Sequence, residues 1–115
     1  MSIERFHVGK RLAGMVVHNG TIYLAGQVPK DTSADIVGQT EQVLAIIDRL
    51  LGEAGSDKSK LLSATIYLPD MADFAAMNAV WEKWVSPGQP PARATVQTAL
   101  AGPAYKIEIQ AIAAI

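Results

Sequence analysis

Two runs near the end of the chain alternate apolar and polar residues. They span residues 91–96 and 106–112, and this alternation is the pattern of a β-strand that buries one face. The connection between them contains Gly102 and Pro103, which favour a turn. We therefore expect the two runs to pair as an antiparallel hairpin within a sheet-containing fold.

The register of this expected hairpin decides which side chains meet. With Gln97 opposite Lys106, one face is wholly apolar and the other wholly polar, whereas a shift of one residue would mix the two faces. Arg93 and Glu108 then become diagonal neighbours on the polar face, within reach of long side chains. We expect the chemistry of the protein to lie on this polar face, which carries Arg93, Thr95, Gln97, Lys106, Glu108 and Gln110.

The overall composition argues against several classes of protein. Half of the 115 residues are hydrophobic and 18% are charged, which is typical of a folded chain, and the length suits a single domain over residues 1–115. The net charge is −1 and no run of Lys or Arg forms a basic stripe, so we expect no nucleic-acid partner. With no cysteine, no signal-like start and no long apolar stretch, we expect no thiolate metal site, no membrane span and a cytoplasmic location.

The first half of the chain predicts a hairpin followed by a helix. Asn19–Gly20 favours a tight two-residue turn between strand-like residues 15–18 and 21–25. Over residues 36–54, apolar side chains recur at three- and four-residue spacing, which predicts an amphipathic helix lying on a core. We expect Ser33 or Asp35 to cap this helix and Gly55 to end it.

The second half predicts a strand and another helix before the terminal runs. Residues 61–68 alternate and predict a strand. Asp70 is expected to cap a helix that ends before residues 87–91, which are rich in proline. One face of that helix is expected to be core, and it carries Phe74, Met77, Trp81 and Trp84.

The predicted element order is β-β-α-β-α-β-β, and a short extra strand is compatible with residues 3–7. Two helices on one face of a mixed or mostly antiparallel sheet make an α+β sandwich. Large half-apolar surfaces usually meet another subunit, so we expect a small ring or dimer in which sheets face one another. The uncovered face of the sheet would be half apolar, with Ser63, Thr65, Tyr67, Thr95, Gln97, Ile112 and Ala114.

Residue types alone leave two interpretations of Arg93 and Glu108 open. A carboxylate in the middle of a strand needs a partner, and an Arg–Glu salt bridge at a subunit interface would supply one. Alternatively, the planar guanidinium of Arg93 is suited to binding the carboxylate of a ligand. His7 and His18 have no second histidine or carboxylate at metal-binding spacing, so we expect no metal site.

At these residues the chain resembles the RidA (YjgF) family of enamine and imine deaminases, over nearly its whole length. The matching motifs are residues 19–27 (NGTIYLAGQ), 73–78 (DFAAMN), 91–96 (PARATV) and 106–114 (KIEIQAIAA). The short connections and the C-terminal ending are more similar to a small side branch of that family. The resemblance implies a chorismate-mutase-like α+β fold, a homotrimer and three sites in clefts between subunits.

The resemblance also implies roles for individual residues. Arg93 would bind the carboxylate of a 2-imino acid, Glu108 would position the attacking water or the imine nitrogen, and backbone groups near Gly26 would hold the ligand. Thr95 and Tyr105 complete the expected binding residues, because Thr95 can donate a hydrogen bond and Tyr105 can line a pocket. The products would be a 2-oxo acid and ammonia, with no cofactor required.

One departure from the family pattern keeps other functions open. Leu12 stands where deaminases of the family have a tyrosine, and it cannot donate a hydrogen bond. A non-catalytic binder of small carboxylates such as 2-oxo acids is therefore an alternative, as is a structural trimer in which Arg93 and Glu108 form an interface pair. Endoribonuclease activity is also ascribed to the family, but the absence of a basic stripe argues against it here.

Overall fold

The elements follow the predicted order, with the extra N-terminal strand present. The structure is a computed structural model, and it describes residues 2–115. The strands are β1 (Glu4–Val8), β2 (Ala13–His18), β3 (Thr21–Leu24), β4 (Leu61–Leu68), β5 (Ala92–Gln97) and β6 (Glu108–Ala114), and the helices are α1 (Ile36–Glu53) and α2 (Phe74–Trp84). Short 3-10 turns at Lys58–Lys60 and Met71–Asp73 precede β4 and α2.

The six strands form one mixed sheet in the order β1-β2-β3-β6-β4-β5. Neighbouring strands are antiparallel except for β4 and β5, which run parallel. Both helices pack on one face of the sheet, and a single hydrophobic core lies between the helices and the sheet. This arrangement confirms the expected mixed sheet with two helices. No helix among residues 2–115 is both long and apolar enough to cross a membrane.

The expected hairpin between the last two strands is wrong. β6 pairs with β3 and β4, whereas β5 pairs with β4, placing Ala64 opposite Arg93 and Ile66 opposite Thr95. The helix between β4 and β5 returns the chain to the end of the sheet where β4 began, so β5 enters parallel to β4. The assumed register with Gln97 opposite Lys106 therefore does not occur.

The first helix begins and ends where the sequence predicts. Of the two predicted caps, Asp35 is the right one, because its carboxylate accepts a hydrogen bond from the Gly38 N–H at 2.9 Å. At the other end, Gly55 has a φ of +77°, and the Ser56 N–H donates to the Leu51 carbonyl at 2.9 Å. Glycine adopts this left-handed conformation without steric cost, which explains why the helix stops here.

The second helix differs in detail from the prediction. The Asp70 carboxylate accepts from the Ala72 N–H, so it caps the 3-10 turn before α2 and not α2 itself. Met77 and Trp81 are buried as expected, but Phe74 is 37% exposed. The predicted apolar stripe is therefore core in its middle and solvent-accessible at its start.

The sheet face opposite the helices is uncovered, and we call it the open face. It carries five of the seven predicted residues: Ser63, Thr65, Tyr67, Ile112 and Ala114. Thr95 and Gln97 instead face the helices, since they lie opposite Ile66 and Leu68, which are fully buried. Tyr23 and Val96 add exposed apolar area to the open face, at 44% and 40% exposure.

Candidate functional site

Arg93 lies on the edge strand β5 and points towards the helix-covered side of the sheet. Its Nη2 donates a hydrogen bond to Asn78 Oδ1 of α2 at 2.7 Å, and its guanidinium lies 5.2 Å from the centre of the Trp81 ring. Burial lowers the pKa of Arg93 and the charge of Glu82 opposes that effect, but a guanidinium remains charged at neutral pH. Helix α2 thus holds this cation in a fixed place.

Among residues 2–115, the Arg93 guanidinium forms no salt bridge with a carboxylate. Its hydrogen bond to Asn78 uses one of five N–H donors, and the guanidinium donates no other within residues 2–115. The one contact of ion-pair geometry in this part of the chain joins His7 and Glu53, at 2.6 Å. A partly buried cation with unused donors is suited to an anionic ligand, above all to a carboxylate bound by two parallel hydrogen bonds.

Thr95 provides a second polar group on the same face of β5. Its Oγ1 is shielded from solvent and forms no hydrogen bond within residues 2–115. Buried hydroxyls nearly always have a partner, so an unpartnered one is a feature to be explained. Two residues from Arg93 on the same strand face, this hydroxyl is placed to donate to a ligand that the guanidinium binds.

Glu108 lies at the start of β6 on the open face, opposite Tyr67. Its carboxylate packs directly against the Cα of Gly26, where a Cβ would lie within 2.9 Å of the carboxyl carbon. Gln27 and Ile109 exchange two backbone hydrogen bonds beside it, at 2.8 and 3.1 Å. Residue 26, just after β3, therefore has to be glycine for the Glu108 side chain to take this position.

Gly26 contacts the Glu108 side chain, and Tyr105 lies three residues before Glu108 in the sequence. Gly26 is exposed, and its N–H forms no hydrogen bond within residues 2–115, so this donor is unused there. Tyr105 precedes β6 and its N–H donates to the Gly102 carbonyl at 3.2 Å. The Tyr105 ring packs against Gly102, so it is partly covered by its own loop.

The predicted proximity of Arg93 and Glu108 is wrong within one chain. Strand β4 lies between β5 and β6, which separates the backbones of these two strands by about 10 Å. The two side chains also project to opposite faces of the sheet. Arg93 lies opposite Ala64 and Glu108 lies opposite Tyr67, and these two residues of β4 are three positions apart, so they point to opposite faces. The residues therefore form two half-sites, Arg93 with Thr95 and Glu108 with Gly26.

The residues that hold the Arg93 side chain in place were not predicted from the sequence. Asn78 and Trp81 both contact Arg93, and they lie three residues apart on α2. Asparagine is unfavourable in the interior of a helix, so its presence at residue 78 was the feature of the sequence that could have indicated a functional role for Asn78. Gln39 on α1 is completely buried and gave no signal, since it lies between apolar positions of the helix pattern.

Two depressions on the surface of residues 2–115 differ in their distance from the predicted site residues. A shallow recess of about 290 Å³ borders Arg93 at the start of β4 and β5, and it is lined by Ser63, Ala64, Thr65, Ala92, Arg93 and Ala94. A groove of about 340 Å³ lies between α1 and α2, away from every predicted site residue. Among residues 2–115, no group of three or more His, Asp or Glu side chains is arranged to hold a metal ion.

Comparisons with known proteins agree with the fold and with the motifs. Residues 3–115 match the family model described as Endoribonuclease L-PSP. The chain is 47% identical over 115 residues to the RutC family protein YoaB of Escherichia coli (strain K12), covering 100% of both chains. The structure of NMB1025 from Neisseria meningitidis, a member of the YjgF protein family, matches with a TM-score of 0.96 and 46% identity, covering 99% of this chain and 95% of that one. Reactive Intermediate Deaminase A, chloroplastic, of Arabidopsis thaliana is 37% identical over 101 residues, 88% of this chain and 54% of the plant protein.

Proposed function

Because the chain belongs to the YjgF family, also called the RidA family, we propose that it hydrolyses reactive 2-imino acids and their enamine tautomers to 2-oxo acids and ammonia. The observation that carries the proposal is the Arg93 half-site. A charged, partly buried guanidinium without an acidic partner lies beside the unpartnered hydroxyl of Thr95. A 2-imino acid offers a carboxylate to the first group and its imine nitrogen or a developing oxygen to the second.

The reaction needs little from the protein beyond positioning. Arg93 binds the substrate carboxylate, which fixes the electrophilic carbon of the C=N bond. Glu108 holds the attacking water and accepts its proton, giving a tetrahedral carbinolamine. Glu108 returns that proton to the nitrogen, the C–N bond breaks with release of ammonia, and the hydroxyl gives its proton to Glu108 or to solvent as the C=O bond of the 2-oxo acid forms. The name of the plant relative, a reactive intermediate deaminase, supports this class of reaction.

The proposed site lies between two copies of the chain, in a homotrimer. Within one copy the two half-sites face opposite sides of the sheet and lie on strands whose backbones are about 10 Å apart, so a small substrate cannot touch both. The Arg93 half-site lies at the free edge of the sheet, whereas the Glu108 half-site lies on the open face. The edge of one copy packed on the open face of the next would bring the two halves together.

A coupled assay tests the proposal. A pyridoxal-phosphate-dependent serine or threonine dehydratase supplies the enamine, and formation of the 2-oxo acid is followed with and without this protein. We expect the wild type to accelerate the reaction and Arg93→Ala to lower kcat/KM by about 10- to 150-fold, the cost of losing hydrogen bonds to a charged group. Arg49→Ala, which removes an exposed arginine of α1, is the matched control and should leave the rate unchanged. Equal rates for the wild type and Arg93→Ala would refute the proposal.

A non-catalytic binder of small carboxylates remains the second candidate, and Leu12 favours it. This side chain is 61% exposed in the turn between β1 and β2 and supplies no hydrogen-bonding group. In Trp84→Phe, Trp81 is the sole tryptophan, so its fluorescence reports occupancy of the Arg93 half-site. Quenching by 2-oxobutyrate without acceleration of deamination would favour the binder, and no response would refute it.

A purely structural role for Arg93 makes a different prediction. If Arg93 and Glu108 form an ion pair between copies, Arg93→Ala leaves a buried charge unpaired, which costs about 3–5 kcal/mol and should dissociate the assembly. Size-exclusion chromatography of Arg93→Ala separates the two roles. An assembly that stays intact while activity is lost supports a ligand-binding role.

A further inference from the structure

We propose that Gln39 is a positioning residue, which sets the place of Tyr105 and Glu108 by binding the backbone on both sides of Tyr105. The inference rests on the proposed function, because it assigns Gln39 a part in the same reaction. Gln39 lies in the first turns of α1 and its side chain is completely buried. It does not reach the substrate itself, and it acts through the segment that leads into β6.

The hydrogen bonds of the Gln39 side chain carry the proposal. Its Oε1 accepts from the Lys106 N–H at 2.8 Å, and its Nε2 donates to the Ala104 carbonyl at 3.1 Å. The amide thus pairs with the backbone before and after Tyr105, in the way that a neighbouring strand would. Nε2 is also within hydrogen-bonding distance of the Thr32 and Ala34 carbonyls, at 3.3 and 3.1 Å.

These contacts matter because the segment before β6 has no strand partner of its own. β6 begins at Glu108, and Tyr105, Lys106 and Ile107 lie outside the sheet. Downstream, the backbone is held by the bridge between Gln27 and Ile109. Glu108 therefore lies between two anchors, the Gln39 amide on one side and the Gln27 bridge on the other.

Loss of the Gln39 anchor should affect the Glu108 half-site and leave the Arg93 half-site unchanged. Arg93 is held by Asn78 and Trp81 of α2, and none of these three residues contacts Gln39 through a hydrogen bond. Substrate carboxylate binding should therefore persist when Gln39 is changed, while the attacking water is misplaced. Small displacements of this kind cost up to about 100-fold in rate, so kcat should fall and KM should not.

The test uses Gln39→Met, which keeps the side-chain shape and removes its hydrogen bonds, with Thr40→Val as the matched control. Thr40 is equally buried on the same helix, but its Oγ1 donates to the Ile36 carbonyl within α1. Amide hydrogen exchange is measured by NMR on the full chain, and kcat and KM by the coupled assay. In Gln39→Met we expect Lys106 to exchange about tenfold faster or more, and kcat to fall about 10- to 100-fold with KM within about twofold.

The outcomes separate this inference from the proposed function. Unchanged exchange at Lys106, or a fall in kcat no larger than that of Thr40→Val, overturns the inference while an active wild type preserves the proposed function. An inactive wild type refutes the function and the catalytic part of the inference together, even if Lys106 exchanges faster. Should Gln39→Met fail to fold, Gln39→Glu keeps the acceptor for Lys106. Its buried carboxyl can donate to Ala104 only when protonated, so its kcat relative to wild type should rise as the pH is lowered, and a flat ratio would overturn the inference.

Discussion

The buried Thr95 hydroxyl lacks a hydrogen-bond partner within residues 2–115, which lowers the stability of the folded chain. A ligand that accepts its hydrogen bond would remove this effect. Its Oγ1 is buried without a hydrogen bond, so replacing it by a methyl group loses no interaction within the chain. We expect Thr95→Val to leave the free energy of unfolding unchanged or slightly raised. Affinity for a 2-oxo acid should fall by about 2- to 12-fold, the worth of one hydrogen bond. Urea unfolding and calorimetric titration measure the two effects, and a clear loss of stability would mean that the hydroxyl is bonded in solution.

The contact between Gly26 and Glu108 gives a second prediction at the scale of one residue. A methyl group at residue 26 would overlap the Glu108 carboxylate, so Gly26→Ala must displace either that side chain or the backbone. We expect at least a tenfold loss of kcat in the coupled assay, because the attacking water depends on this carboxylate. Gly52→Ala is the control, since a Cβ there meets no atom within 4 Å. Full activity of Gly26→Ala would show that Glu108 is not needed in its present position.

At the scale of elements, the sequence predicted the strands and helices well and one pairing wrongly. Alternation with period two reveals which residues of a strand share a face, so Arg93 and Thr95 were rightly grouped. It carries no information about which strand is the neighbour. The turn residues Gly102 and Pro103 favoured a hairpin, but the helix between β4 and β5 was the stronger signal, because a strand–helix–strand unit pairs its strands in parallel.

The same limit explains what was missed in the candidate site. Arg93, Thr95, Glu108 and Gly26 were recognisable from their residue types and motifs. Their separation follows from β4 lying between β5 and β6, and their division between two sheet faces follows from the registers in which β4 pairs with these strands, neither of which a local pattern encodes. Gln39 was invisible for a related reason, since its partners Ala104 and Lys106 are more than 60 residues away along the chain.

The C-terminal part of α1 offers a prediction about stability. Gly52 lies in the helix and Gly55 ends it with a φ of +77°. Gly52→Ala should raise the free energy of unfolding by about 0.5–1 kcal/mol, because alanine loses less backbone entropy in a helix. Gly55→Ala should lower it by about 1 kcal/mol or more, because alanine is strained in the left-handed region. Urea unfolding of both variants tests the pair, and equal signs would contradict the assignment of the helix end.

At the scale of the whole molecule, the division into half-sites predicts complementation. Arg93→Ala and Glu108→Gln are each expected to have strongly reduced activity alone. When equal amounts of the two variants are unfolded and refolded together, about one site in three of each mixed trimer, and so about a quarter of all sites, combines an intact Arg93 half-site with an intact Glu108 half-site. Recovered activity near that fraction, measured by the coupled assay, would support a site shared between copies. A mixture that assembles but is no more active than the single variants would refute it.

The edge of β5 has a consequence for chains that have not yet assembled. β5 ends the sheet, so within residues 2–115 one side of its backbone pairs with no strand, and its exposed side chains are Ala92, Ala94, Val96 and Gln97. Unpaired edges with few charges are templates for aggregation. Association that covers this edge would therefore have two effects, completing the Arg93 half-site and removing an unpaired edge that can promote aggregation. Newly made chains would be both inactive and prone to aggregate. Assembly would make them active and protect them from aggregation in the same step.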